Sequence, residues 1–176
     1  MKKRCTMSES TLPSPESRIL TLDECVRLRS EWRRQGLSCA LTNGCFDILH
    51  RGHAEYLQAA HDLADRLIVL LNSDESVRRL KGPDRPVNTE YDRAYLLSCL
   101  RFVDAVVIFS SPRCTREIEA LAPDFYAKGA DYTVETLNPE ERNALFRAGT
   151  EIRFISFVPG HSTTGTIRKL RGEKDS

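Results

Sequence analysis

Two histidines three residues apart close the run Thr42-Asn43-Gly44-Cys45-Phe46-Asp47-Ile48-Leu49-His50-Arg51-Gly52-His53. At that spacing on a helix, both imidazoles of His50 and His53 face the same side. Residues 38–41 read as the end of a short apolar strand, and residues 52–65 read as a helix whose Ala54, Leu57, Ala60 and Ala64 share one face. The pair therefore stands at a helix start, where unpaired backbone N–H groups and the positive end of the macrodipole attract phosphate. Gly44 and Gly52 carry no Cβ, so the backbone can turn and a phosphate can come close. These residues suit nucleotidyl transfer, in which a phosphate oxygen attacks the α-phosphorus of a nucleoside triphosphate and pyrophosphate leaves. Such chemistry needs positioning and charge stabilisation more than a covalent nucleophile. A histidine beside a triphosphate is expected to have its pKa raised by the anion and to act as a cationic donor. Taken singly, each histidine would pass for a helix cap.

The rest of the chain must hold that run in place. Its 176 residues fit one domain with a real core, and 40% hydrophobic with 29% charged residues is the balance of a globular protein. A net charge of +1 gives no electrostatic footprint for nucleic acid. Six scattered cysteines form no C-x-x-C pair and no zinc spacing, which fits reduced thiols in a cytoplasm. The basic start Met1-Lys2-Lys3-Arg4 lacks the apolar core of a signal peptide, and no run is long enough to span a bilayer. Residues 1–17, rich in Ser, Pro and charge, read as a mobile leader, and the domain as 18–176.

Along that domain strands and helices alternate. Thr21 and Glu24 form a capping box, Cys25, Leu28 and Trp32 give a helical stripe, and Gly36 ends it. Residues 67–71 are a continuous apolar run, as in a strand covered on both faces. A short polar segment leads to the Gly/Pro loop 81–88 with Lys81 and Arg85. Thr89 and Asp92 cap the next helix, 105–109 is a strand, Ser111-Pro112 starts a helix and Pro123 stops it. Residues 125–128 form a fourth strand, Asn138, Pro139 and Glu141 open a helix that Gly149 closes, and 151–158 form a fifth strand with Ile152, Phe154 and Phe157 as core contacts. The alternation predicts an α/β fold, a parallel sheet with doubly wound connections.

Three further groups lie where such a sheet presents its ligands. Lys128-Gly129-Ala130-Asp131 ends the fourth strand. Ser162, Thr163 and Thr164 open a C-terminal helix, where hydroxyls and free N–H groups either cap the helix or donate to phosphate. Lys81 and Arg85 either close over phosphates or decorate an exposed loop. Asp47 is expected to hydrogen-bond within its own turn. Cys45 has no dedicated base and is not expected to act as a nucleophile. No dense carboxylate cluster is visible, which fits Mg²⁺ held by a triphosphate and water.

The run 42–53 resembles the H-x-G-H signature of the nucleotidyltransferase superfamily that includes the cytidylyltransferases. In the form T-N-G-C-F-D-I-L-H-x-G-H it most resembles bacterial heptose 1-phosphate adenylyltransferases. Ser162-Thr163-Thr164 near the C-terminus supplies the second half of the superfamily's paired signature, and Leu80 to Asn88 matches L-K-G-x-x-R-P-V-N. Glu90 and Arg93 match E-x-x-R, and K-G-G-D-Y appears with Ala130 in place of its second glycine. The resemblance covers roughly 21–171 and implies a single Rossmann-like nucleotidyltransferase domain. It implies transfer of AMP from ATP to a heptose 1-phosphate, with His50, His53, Lys81 and Thr163 in catalysis. The implied nucleotide site comprises Asn43, Gly44, Cys45, Phe46, Gly52, His53, Arg93, Lys128, Gly129, Asp131, Ser162, Thr163 and Thr164. Also implied are Mg²⁺ carried with the triphosphate, no metal site of the protein's own, a homodimer, and a separate sugar kinase that supplies the acceptor. The alternatives are a cytidylyltransferase acting on glycerol 3-phosphate or a similar small phosphate, and a nucleotide-binding module without turnover.

Overall fold

Most strand-to-helix steps carry a local capping signal. In the computed structural model, which describes residues 14–156, 163–170 and 172, those steps assemble one six-stranded, all-parallel sheet. In chain order the elements are β1 (Ile19–Leu20), α1 (Leu22–Arg34), β2 (Cys39–Gly44), α2 (Arg51–His61), β3 (Arg66–Asn72), α3 (Asp74–Lys81), α4 (Glu90–Ser98), β4 (Ala105–Phe109), α5 (Thr115–Leu121), β5 (Phe125–Gly129), α6 (Pro139–Ala148), β6 (Glu151–Ile155) and α7 (Thr163–Leu170). The strand order is β1-β4-β3-β2-β5-β6. From β2 the chain builds outward through β3 and β4, then returns to lay β5 on the other side. The topological switch point, where open α/β sheets bind ligands, thus falls between the carboxyl ends of β2 and β5.

Strand period sorts side chains to two cores. Cys39 and Leu41 of β2 with Ile68 and Leu70 of β3 face α1, α5 and α6, meeting Cys25, Trp32, Ile118, Leu121 and Leu145. Ala40, Leu67, Val69 and Leu71 face the opposite way onto Leu57 and Ala60 of α2 and Ala94 and Leu97 of α4. This explains the unbroken apolar run at 67–71: both faces are buried, so neither tolerates a polar residue. At the amino ends of the strands, aspartates take up backbone donors. Asp65 accepts from Ser38 N (2.8 Å), Asp104 from Leu67 N (2.9 Å), and Asp124 from Cys39 N (2.7 Å) as well as from Arg29 Nη2 (2.8 Å). Asp124→Ala should cost about 2 kcal/mol in urea unfolding, since two charge-assisted bonds vanish but the side chain is 45% exposed. Ligand binding at the far end of the sheet should not change.

The capping expectations for α1, α4 and α6 hold: Thr21 and Glu24 cap reciprocally, Thr89 accepts from Asp92 N, and Asn138 accepts from Glu140 N and Glu141 N. Other boundaries differ. α2 ends at His61 rather than 65. The polar segment before the basic loop is a helix, α3, capped by Ser73. α5 begins at Thr115, not at Ser111-Pro112: Ser111 Oγ donates to the Arg113 carbonyl, and the Cys114 amide is taken by Glu141 Oε1 (3.2 Å). β1 is a two-residue edge strand too short for any pattern to reveal. Residues 1–13 of the expected leader lie outside the described residues; within 14–17, Pro15–Arg18 is a 3-10 turn, and Arg18 donates to the Val103 carbonyl (3.0 Å). In β6, Ile152 packs on the core while Phe154 is 37% exposed, because the strand is the sheet's open edge; Phe157 lies outside the described residues. Among the described residues no helix is long and apolar enough to cross a membrane.

Candidate active site

The turn after β2 is built under strain. Phe46 has φ 43°, a left-handed conformation that costs a bulky residue free energy and is held only by its surroundings. Its ring is 5% exposed and lies so close over Gly44 that a Cβ there would stand 2.8 Å from Phe46 Cε2. Gly44 is therefore needed for the Phe46 ring, a packing reason beside the phosphate approach that the sequence suggests. The ring meets His53 edge-on at 5.2 Å, and His53 stacks on His50 at 3.8 Å with 16° between planes. His50 is the N-cap of α2, its Nδ1 accepting from the His53 amide at 3.3 Å. The run thus makes its own helix cap from a histidine and keeps the pair at the positive end of α2.

His53 Nδ1 is buried without a hydrogen-bond partner. Burial lowers the His53 pKa to about 4, the charge of His50 adds to the fall and the Ile48 carbonyl opposes it. Burial decides the sign in the free protein, whereas the upward shift expected beside a triphosphate belongs to the nucleotide complex. Cys45 is likewise pushed up by burial, so its thiol is no ready nucleophile.

Asp47 does not stay within its own turn. It is 2% exposed and reaches the 82–88 loop: its carboxylate pairs with Arg85 Nε and accepts from Val87 N (2.7 Å) and Asn88 N (3.3 Å), while Asn88 Nδ2 donates to the Asp47 carbonyl (2.9 Å). Arg85 is thus a latch on that loop and not a closing cation. Asp47→Asn should speed amide exchange at Val87 and Asn88 by at least about tenfold, as expected when a buried pair loses its charge. Unchanged exchange would show that the loop is held by other contacts.

At the switch point Lys128 Nζ donates to Asn43 Oδ1, which also accepts from Tyr126 Oη at 2.9 Å. The ammonium lies 5.5 Å from the Tyr126 ring centroid and 5.3 Å from that of Tyr132. Burial lowers its pKa, and Glu141, Cys114 and Asp131 pull it back up. Tyr126 and Glu141 escape sequence reasoning as site residues. The only hint is a tyrosine hydroxyl on the buried side of a strand, which must find a partner; no sequence signal marks Glu141.

These groups converge on one cleft of about 1160 Å³, room for more than one small substrate. Asn43, Gly44, Cys45, Phe46, His50, Gly52, His53, Lys81, Lys128, Gly129, Asp131 and Thr163 all line it. Thr163, at the start of α7, approaches the motif turn with Oγ1 3.5 Å from the Ile48 carbonyl. Ser162 lies outside the described residues, as does the side chain of Thr164. Arg93 is not at the cleft. Its guanidinium is fully buried and its donors are taken by protein oxygens, which corrects the expectation that it meets the nucleotide.

Residues 41–162, from within β2 to just before α7, match the cytidylyltransferase-like family model. The chain belongs to the cytidylyltransferase-like family. Among its relatives, the bifunctional protein HldE of Mesorhizobium japonicum is 49% identical over 158 residues, and that of Campylobacter fetus 47% over 157. These alignments take 90% and 89% of this chain but 32% of each relative, so this cytidylyltransferase-like chain spans about a third of their length. A crystal structure of the lipopolysaccharide core biosynthesis protein from Thermoplasma volcanium superposes with a TM-score of 0.57 at 27% identity, covering 70% of this chain and 98% of that one.

Proposed function

We propose that this chain transfers AMP from MgATP to a heptose 1-phosphate, giving ADP-heptose and pyrophosphate. The observation that carries the chemistry is the stacked His50–His53 pair at the N-terminus of α2, with a buried, unpartnered ring nitrogen, in the same cleft as Lys81, Lys128 and Thr163. An oxygen of the sugar phosphate attacks the α-phosphorus, the bond to the bridging oxygen of the β-phosphate breaks, and that oxygen leaves with pyrophosphate. No proton need move if the acceptor phosphate is ionised. The α2 amides and the two imidazoles donate to the α-phosphate and leaving group, and Lys81 and Thr163 hold the polyphosphate, where preorganised donors act without reorganising. Mg²⁺ would come with the nucleotide as part of the substrate and would neutralise part of its phosphate charge.

The choice of sugar rests on the HldE relatives and on the matched L-K-G-x-x-R-P-V-N and K-G-x-D-Y segments. The acceptor comes from a sugar kinase, and the reaction belongs in the cytoplasm where ATP is made. The assembly is a homodimer, and Val87, Tyr91 and Leu96 on and beside α4, each at least 45% exposed, are apolar side chains available to be covered in it. The deciding experiment is pyrophosphate release with Mg²⁺, pairing ATP, CTP, GTP and UTP with heptose 1-phosphate and glycerol 3-phosphate. Release with ATP and the heptose supports the reading. Release with CTP and glycerol phosphate keeps the transfer chemistry but replaces both substrates, and none with any pair leaves a nucleotide-binding module.

A further inference from the structure

Arg93 is the bulkiest of the fully buried side chains, and it lies outside the cleft. Nε donates to the Asn88 carbonyl (3.1 Å), Nη1 to the carbonyls of Cys45 (2.6 Å) and Asn72 (2.9 Å), and Nη2 to Asp74 Oδ1 (2.8 Å). The four acceptors belong to four segments: the motif turn after β2, the end of β3, the first residue of α3 and the loop before α4. A buried charge is no better for stability than an apolar side chain of similar volume, and it persists only with its donors satisfied. What the guanidinium adds is a fixed geometry, because its donors lie in one rigid plane.

That geometry joins two elements that line the cleft. Cys45 lies in the run that ends in His50 and His53, while Asp74 opens the helix that ends in Lys81. Asp74 is held from a second direction, its amide donating to Glu90 Oε2 at 2.7 Å. A displacement at Asp74 is carried along α3 to Lys81, roughly 10 Å away. We infer that Arg93 is a positioning residue for the transfer step: it ties the motif turn to the foot of α3, so that the histidine pair and Lys81 keep the spacing that a triphosphate requires. This rests on the nucleotidyl-transfer reading and adds to it a residue that touches no substrate.

The test takes Arg93→Lys and, should that variant not fold, Asp74→Asn, which removes the one carboxylate from the clamp and leaves the carbonyls. Wild-type pyrophosphate release is measured first, then kcat, the melting temperature and the affinity for a non-hydrolysable ATP analogue. Misplacing reacting groups by about 1 Å costs about 100-fold, so R93K should lose about that much in kcat and D74N about tenfold, both well below their melting temperatures and with analogue affinity, which Lys81 also serves, falling by clearly less than kcat. Affinity that falls as far as kcat would overturn the inference in favour of direct contact. A lowered melting temperature with kcat intact would overturn it in favour of packing alone. If the wild type releases no pyrophosphate, the transfer reading has failed separately, and R93K is then read by amide exchange at His53 and Asp74, whose amide donates to Glu90: faster exchange at both sides supports the clamp, and unchanged exchange overturns it.

Discussion

His53→Ala should lower turnover by about three orders of magnitude in the pyrophosphate-release assay at saturating substrates, with the cooperative fold retained. The size follows from the role: one preorganised donor to the developing charge on the α-phosphate and leaving group is worth about 10²–10³. The structure makes His53 the better of the two histidines to remove. His50 also caps α2 through Nδ1, so its loss would mix catalysis with a capping cost of about 1 kcal/mol. The His53 ring packs against Phe46 and His50 and feels the Ile48 carbonyl, so its removal costs that packing and one polar contact but no helix cap. His53→Asn should recover part of the rate by restoring a donor. An unchanged rate in His53→Ala would take His53 out of the mechanism.

What could be read from sequence divides along physical lines. The strands were legible wherever burial on both faces forced a continuous apolar run, as in β3 and β4, and the helices wherever a cap sits next to a stripe, as in α1 and α6. α3 was lost because it buries only Ser76 and Val77, which leaves no stripe, although Ser73 with Asp74 and Glu75 in the first turn is a fair start signal. The start of α5 is not legible because its N-cap residue, Cys114, makes no side-chain cap and gives its amide to Glu141, a carboxylate 27 residues downstream that no local pattern announces. In the site, the groups that meet a ligand were legible as a motif, since helix starts and glycine turns have local chemistry. The groups that hold them were not. Asp47 and Arg85 look like site residues and prove to be a latch, and Arg93 looks like a nucleotide contact and proves to be a tie between backbone carbonyls. Each pairing bridges at least 19 residues of chain, and spacing in sequence says nothing about it.

The affinity for a nucleoside triphosphate should rise by up to about tenfold for each pH unit as pH falls, and His53→Ala should remove that slope. In the free protein the His53 pKa is about 4, so at pH 6 the ring is neutral. A triphosphate seated at the N-terminus of α2 brings several negative charges to the ring and raises its pKa. Between the free and bound values the complex holds one proton more than the separate partners, so protons favour binding; below about 4 both states are protonated and the slope ends. The stability of the free fold runs the other way. The unfolded chain takes up a proton near the ordinary histidine value while folded His53 refuses it until about 4, so stability is lost as pH falls from about 6.5 to about 4 and then levels off. Calorimetry of an ATP analogue in buffers of different ionisation enthalpy, wild type against His53→Ala, separates this proton from those of the nucleotide itself. Uptake approaching one proton in the wild type and lost in the variant is the expected outcome; equal uptake in both would mean that His53 stays neutral in the complex and donates as an uncharged imidazole.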